Sequence, residues 1–142
     1  MQGYILLKKS QAAWDERDGL RMLTLAQASQ SGPWTLPMRV RAEAAQQEAR
    51  GLAMNGEAWQ HVERKLDEAW TLIDTLPGEA SSLGDHYNET LLTIQTAICY
   101  REAGQPLRAV ELYQRSLSCG NFSLRDRGYF LSLMAGALAQ AA

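Results

Sequence analysis

Few side chains in this sequence have both the type and the spacing that chemistry requires. Cys99 lies in an apolar helical run, and a thiol there is expected to be a buried structural residue, because a nucleophilic cysteine needs a base beside it. His86 and Glu89 are three residues apart, which could place both on one metal-facing side of a helix. A lone pair without further ligands indicates a capping or solvated position instead. His61 lies on a polar helix face and is expected at the surface.

Motifs for catalysis, nucleotide binding and metal binding are absent from the sequence. It contains no G-x-G-x-x-G, no G-x4-G-K-[ST] and no H-E-x-x-H. The two cysteines, Cys99 and Cys119, form no CxxC motif, which argues against a disulfide framework or a zinc site and fits a reducing compartment. We therefore expect a protein that is not an enzyme and holds neither metal nor cofactor.

The overall charge and hydropathy exclude further classes of function. Fourteen basic and sixteen acidic residues give a net charge of −2, so no global positive field favours nucleic acid. Arg39, Arg41 and Arg50 cluster locally, but acidic residues interrupt them, and a solvated helix face is the expected structure. No apolar run approaches the roughly 20 residues needed to span a membrane. The N-terminal segment lacks the pattern of a signal peptide, and we expect a cytoplasmic protein.

Tryptophans could form either a ligand cage or part of a core. Trp70 follows the core spacing of its helix, so packing is the favoured interpretation. Trp34 lies between two prolines and is predicted to cover the end of a helical hairpin.

The elements that must position these residues are helices. Ala, Leu, Gln, Glu and Arg are abundant and alternating patterns are rare, which predicts an all-α fold of about seven antiparallel helices in one domain, 1–142. Gly, Pro and Asn divide the chain into helical blocks. The first block covers about 4–16, and the second runs from the Asp-Gly step at 18–19 to about 29. The next four cover about 38–54, 58–75, 87–103 and 106–119, and the last begins after 123. The loop at 76–88 is the longest, and its role is left open.

Core residues recur with the same offsets in successive helical hairpins. The clearest unit has Ala97, Tyr100 and Gly104 in its first helix and Ala109, Tyr113 and Leu117 in its second. A second unit repeats these positions as Ala49, Leu52 and Gly56, then Val62, Leu66 and Trp70. A weaker copy precedes them, and Ala135 and Leu138 begin an incomplete one. The pattern predicts a repeat array with an insertion in the 76–88 loop.

These offsets resemble the tetratricopeptide repeat, W-x2-L-G-x2-Y then A-x3-F-x2-A then P, in a helix-turn-helix unit of 34 residues. Ala97, Tyr100, Ala109 and Tyr113 match that pattern. The chain departs from it at Thr93, Thr96 and Ser116, and Asn121 replaces the usual proline. The resemblance implies an α-solenoid of three hairpins and a final helix.

Longer segments resemble a particular group of proteins. LLKKSQAAWDERDGLRML and LLTIQTAICYREAGQPLRAVELY are similar to the C-terminal repeat region of bacterial transcriptional regulators that carry an XRE-type helix-turn-helix. The resemblance implies a regulatory domain, cut from a longer regulator, that binds a protein or peptide and does not itself bind DNA. A small-molecule or signalling-peptide sensor and a structural array that forms homodimers are the alternatives.

In a solenoid, the first helix of each repeat lines a concave groove. The non-core positions of those helices are therefore the candidate partner-binding residues: Lys8, Gln11, Glu43, Gln46, Gln47, Arg50, Met54, Ile94, Ile98, Arg101, Tyr129 and Ser132. Arg50 and Arg101 have nearly equivalent offsets and could together bind a carboxylate. Alternatively, they pair with Glu43, Glu48 or Glu102 at the surface.

Overall fold

The computed structural model of the protein describes residues 1–76, 87–120 and 122–142. These residues contain seven α-helices and no β-strand, which confirms the all-α class. The helices are Gln2–Asp15 (α1), Gly19–Ser31 (α2), Met38–Met54 (α3), Trp59–Asp74 (α4), Glu89–Glu102 (α5), Pro106–Cys119 (α6) and Leu124–Ala141 (α7). Their ends differ from the predicted ones by no more than about two residues. Most of the 76–88 loop lies outside the described residues.

Local side chains and glycines set the helix ends. Asp18, Asn88 and Ser123 cap α2, α5 and α7, each accepting a hydrogen bond from the backbone amide three residues later. After α3 and α5, Gly56 and Gly104 adopt positive φ angles of 74° and 78°, a conformation that glycine reaches without the Cβ penalty of other residues. The chain therefore reverses between helices where the sequence predicted its turns.

Alanine faces let the helices pack closely. In α3, Ala45, Ala49 and Ala53 point into the core, where Val62 and Leu66 of α4 are also buried. The spacing of four residues keeps each set on one side of its helix. In the clearest repeat unit, the residues predicted to form the core are likewise buried together: Ala97, Ala109, Tyr113 and Leu117.

Consecutive helices pack against each other along the chain, and α3 packs in addition against α1 and α5. The helix α5 contacts α3 more extensively than it contacts α4. Every residue from Ala42 to Gly51 is buried as a result, including residues with long polar side chains. The centre of the molecule is thus a helix with neighbours on all sides, and one face of it is polar.

Candidate binding site

The polar face of α3 is the main candidate site. Glu43, Gln46, Gln47 and Arg50 lie three and four residues apart and share one side of the helix. They are 5%, 1%, 2% and 3% exposed, respectively. We call these four residues the α3 polar row. The sequence predicted these residues at non-core positions that face a groove, and the exposure implied there was wrong, because α1 and α5 pack along both sides of this face.

On one side, α1 supplies a cation and an aromatic ring to the α3 polar row. Lys8 Nζ lies 3.0 Å from Glu43 Oε1. Partial burial opposes the charge on Lys8, yet the nearby Glu43 carboxylate raises the pKa of Lys8 above its ordinary value. The Trp14 ring stacks on the guanidinium of Arg50, with 3.8 Å between the ring centroid and Cζ. Gln11, between these two contacts in sequence, is exposed.

On the other side, α5 supplies a shared acceptor. Gln95 Oε1 accepts hydrogen bonds from Arg50 Nη1 at 2.9 Å and from Gln46 Nε2 at 3.3 Å. Gln46 Oε1 accepts in turn from the hydroxyl of Tyr87 at 3.2 Å. The sequence pattern contains no signal for Gln95 or Tyr87, because both contact the α3 polar row from more than 40 residues away in the chain.

Arg50 is the most unusual member of the α3 polar row. It is 3% exposed, and its Nε has no hydrogen-bond partner among the residues that the structure describes. Within the described part of the chain, no carboxylate lies within 4.0 Å of its guanidinium. Burial lowers the pKa of Arg50 below its ordinary value, as expected for a cation removed from water.

One contact spans from α1 to α5 across α3. Glu102 accepts hydrogen bonds from both terminal nitrogens of Arg17, at 2.7 and 2.8 Å, and from Trp14 Nε1 at 3.2 Å. We call Trp14, Arg17 and Glu102 the α1–α5 strap. It lies beside Arg50, because Trp14 belongs to both arrangements. Glu102 thus pairs with Arg17, and not with Arg50 or Arg101.

The candidate residues of α5 have different surroundings from those predicted. Ile94 and Ile98 are 2% and 4% exposed in the core with Phe130 of α7. Their predicted exposure was wrong, because α6 and α7 fold back onto α5. Arg101 is half-buried, and its Nε donates to Gln140 Oε1 at 3.2 Å. Arg50 and Arg101 therefore have separate partners.

The remaining candidates lie nearer the surface. Met54 is half-buried, whereas Tyr129 and Ser132 are exposed on α7. Tyr129 borders a cleft of about 450 Å³ between the start of α5 and the start of α7, with Ile94, Phe122 and Phe130 among its apolar walls. Partner binding by any of the candidate residues stays a prediction.

Other residues singled out by type also have defined environments. Cys99 is fully buried, and this burial raises its pKa to about 12, whereas Cys119 is exposed. His61 is exposed at the surface, 3.8 Å from Glu57. His86, the partner of Glu89 in the predicted pair, lies outside the described residues. Among the residues described, no group of three or more His, Cys, Asp or Glu could hold a metal ion.

The structure also shows the environments of Trp70, Trp34 and the arginine cluster of α3. Trp70 packs half-buried against the α3–α4 core, which confirms its interpretation as a packing residue. Trp34 donates from Nε1 to Ser29 O at 2.6 Å, at the end of the α1–α2 hairpin. Glu48 and Arg50 are buried, so the interpretation of the arginine cluster as a solvated helix face was wrong for them.

Comparison with known proteins gives no assignment of family. No profile of a known protein family matches the chain, and no curated protein or solved structure matches it either. Within the described residues, no helix has the length and apolar character needed to cross a membrane.

Proposed function

We propose that this chain is a tetratricopeptide-like helical-repeat module that binds a peptide or protein segment. In this proposal it has no catalytic role and acts in the cytoplasm. The packing order supports the repeat architecture, since α1 with α2, α3 with α4 and α5 with α6 form successive hairpins. The first helices of neighbouring hairpins also pack together, α1 with α3 and α3 with α5, as stacked repeat units do.

The α3 polar row is the observation that carries the binding function. A helix that only filled space at the centre of a small protein would carry apolar side chains there, because burying polar groups costs free energy. The row carries acceptors, donors and a cation, and in the proposed solenoid it belongs to a first helix of a repeat, the kind of helix that lines the groove. Such a row suits the backbone and polar side chains of an extended segment.

The regulatory role rests on the resemblance of the longer segments to the C-terminal regions of XRE-type regulators. A chain of this kind would work by coupling ligand binding to a DNA-binding domain on the same polypeptide. The small net charge of −2 agrees with a module that contacts a partner protein and not nucleic acid.

Selection from a random peptide library on the immobilised protein tests the binding function. Selected peptides are then measured by fluorescence anisotropy against wild type and a variant carrying Gln11→Arg and Tyr129→Ala, two exposed candidate positions. We expect this variant to bind about tenfold more weakly. The matched control carries Glu63→Ala and Gln114→Ala on exposed positions of α4 and α6 and should bind as wild type does. If no peptide is enriched, the proposed function is wrong. If both variants bind equally, Gln11 and Tyr129 do not belong to the binding surface.

A second candidate function is self-association through α7. Leu124, Leu131 and Leu138 are spaced seven residues apart on this helix and are 91%, 45% and 46% exposed. Leucines at this spacing form the seam of paired helices. Sedimentation analysis should then show a dimer that Leu131→Glu with Leu138→Glu converts to monomer. Leu20→Glu with Leu107→Glu, at leucines that are 67% and 68% exposed elsewhere, is the control. A wild-type monomer would eliminate this candidate.

A further inference from the structure

The cleft between the start of α5 and the start of α7 combines aromatic rings with a charged group. Its volume is about 450 Å³, a size that suits a small organic molecule. Phe130, which lines it, is 8% exposed, whereas Tyr129 at its edge is 53% exposed. The cleft therefore joins a buried apolar wall to an edge that is open to solvent.

Three aromatic rings pack together along this cleft. Phe122 lies edge-on against Phe130, with 4.8 Å between the ring centroids and an interplanar angle of 70°. Tyr129 lies 5.7 Å from Phe130 at an angle of 52°. Gly120 makes room for Phe122, because a Cβ added at Gly120 would lie 2.5 Å from that ring. Since the rings are inclined to one another, they offer faces as well as edges to a molecule in the cleft.

Asp126 gives the cleft its charge. Among the described residues, no Lys or Arg lines the cleft, and the Asp126 carboxylate has no hydrogen bond or ion pair. Its neighbours in sequence are Arg125 and Arg127, but neither lines the cleft, and Arg127 donates to the carbonyl of Leu117. A bound molecule would therefore meet a negative charge.

The helix N-termini beside the cleft do not reverse this preference, although a helix N-terminus alone would favour an anion. The first-turn amide of Leu91 already donates to Asn88, and that of Asp126 donates to Ser123. Each first turn also carries an acidic residue, Glu89 in α5 and Asp126 in α7. The full charge of a carboxylate outweighs the roughly half charge of a helix N-terminus, so a cation is the favoured occupant.

We propose that this cleft binds a small organic ammonium ion with an apolar body such as an aromatic ring. Asp126 and Tyr129 are three residues apart on α7, so the carboxylate and the ring lie on one side of the helix. The carboxylate pairs with the ammonium group, and the ring attracts the same charge through its face. The apolar body packs against Phe122 and Phe130. This site is separate from the α3 polar row and does not depend on the proposed peptide-binding function.

The ligand test uses three probes of similar shape that differ in charge. At neutral pH phenethylamine is a cation, phenethyl alcohol is neutral and hydrocinnamate is an anion. Binding is followed by the amide NMR shifts of the full chain. We expect phenethylamine to bind at the starts of α5 and α7 with a dissociation constant on the order of 1 mM. The alcohol should bind at least about fivefold more weakly, and the anion more weakly still. Equal binding of amine and alcohol, or no binding of the amine, overturns the proposal.

A substitution at the carboxylate locates the charge preference. Asp126→Asn keeps the shape and removes the charge, so the affinity for phenethylamine should fall about fivefold, to that for the alcohol, while alcohol binding stays unchanged. Asp67→Asn is the matched control, because Asp67 is also exposed but lies on α4, away from the cleft, and it should leave both affinities unchanged. An unchanged preference for the amine in Asp126→Asn contradicts the proposal.

A second pair of variants tests the aromatic contact. Tyr129→Leu removes the ring at an exposed position and should weaken phenethylamine binding by about threefold or more. Tyr129→Phe retains the ring and removes only the hydroxyl group, and should bind the amine as wild type does. Equal binding by Tyr129→Leu and Tyr129→Phe would show that the ring does not contact the cation.

A lysine side chain of a partner protein would carry the same charged group. Nα-acetyl-lysine methylamide presents this ammonium on an aliphatic stem and should bind at least about threefold more weakly than phenethylamine, because it has no ring to pack against Phe122 and Phe130. Tighter binding of the lysine probe would overturn the assignment to a small amine. Because phenethylamine contains no peptide group, failure of this site is distinguishable from failure of the peptide-binding function.

Discussion

At the scale of single residues, the two thiols have opposite environments. Cys99 is buried among Ala49, Val62 and Leu66 with a pKa of about 12, whereas Cys119 is exposed at the end of α6. We predict that a disulfide reagent labels one thiol per chain rapidly near neutral pH and the second only after unfolding, because the thiolate is the reactive species. Cys119→Ser should abolish the rapid phase, and rapid labelling of Cys99 in the folded protein would contradict its burial.

Gln95 gives a second prediction for a single residue, because its side chain is the acceptor for Arg50 and Gln46. Gln95→Glu retains the shape and places a negative charge 2.9 Å from the guanidinium, so we expect a gain of about 1 kcal/mol in the free energy of unfolding near neutral pH. That gain should disappear as acid protonates the new carboxyl group. Urea unfolding of wild type and Gln95→Glu, near neutral pH and at an acidic pH that protonates the new carboxyl group, measures this gain.

The matched change is Gln95→Leu, which removes the acceptor and leaves buried donors unsatisfied. It should lower the free energy of unfolding by roughly 1–3 kcal/mol. Destabilisation by Gln95→Glu as large as that by Gln95→Leu would show that Arg50 gains nothing from a nearby carboxylate.

The sequence could predict core residues but not the surroundings of polar ones. Ala97 and Tyr113 were predictable, since each belongs to a local period that points one face of a helix inward. The burial of Gln46 depends on α5 and that of Ile98 depends on α7, and each of these helices is distant in the chain from the residue that it covers. A helix period reveals which residues share a face, but not how many other helices cover that face.

At the scale of elements, a close approach of α2 to α3 depends on Gly51. A Cβ added there would lie 2.9 Å from the backbone nitrogen of Leu23 and 3.1 Å from the carbonyl oxygen of Gly19. Backbone atoms of a neighbouring helix cannot move away without separating the two helices. We therefore predict that Gly51→Ala destabilises the protein by about 1–3 kcal/mol in urea unfolding, despite the higher helix propensity of alanine.

The control is Gly128→Ala in α7, where an added Cβ would meet nothing within 4 Å. Alanine there should stabilise the protein by up to about 1 kcal/mol, because glycine is the poorer helix former. The opposite signs of the two substitutions separate helix packing from helix propensity. Stabilisation by both would show that α2 and α3 are not in close contact at Gly51.

Helix ends were the most predictable elements, for physical reasons. Asp18, Asn88 and Ser123 form local hydrogen bonds to nearby amides, and Gly56 and Gly104 adopt a backbone conformation that other residues avoid. Such signals depend on a few adjacent residues only. No local signal predicted that α5 packs on α3 more than on α4, because α3 and α5 are distant in the chain.

At the scale of the whole molecule, α1 closes one side of the α3 polar row by contacting α5. The contact joins Trp14 near the end of α1 and Arg17 in the turn that follows it to Glu102 of α5. These residues are far apart in sequence, so no periodicity or motif predicts the contact. It helps to bury a row of polar residues that the sequence predicted to be exposed.

The pH dependence of stability reports on that contact. Burial alone would raise the pKa of Glu102, but the hydrogen bonds from Arg17 and Trp14 outweigh it, and the pKa lies below its ordinary value of 4.5. A carboxyl group with a depressed pKa in the folded state stabilises the protein fully above its unfolded pKa, and this contribution is lost as the pH falls through the folded pKa. Glu102→Gln should therefore be less stable than wild type near neutral pH, by at most about 1 kcal/mol given the exposure of Arg17.

The difference between wild type and Glu102→Gln should shrink to zero as the pH falls through the lowered pKa of Glu102, because the wild-type carboxyl group is then also uncharged. Urea unfolding from neutral to acidic pH measures it. In Glu16→Gln, which removes an ion pair with Arg21 whose side chains are both more than half exposed, the difference should stay within about 0.5 kcal/mol at every pH. A difference for Glu102→Gln that does not change with pH would mean that the variant disturbs packing and that the ion pair does not hold α1 against α5.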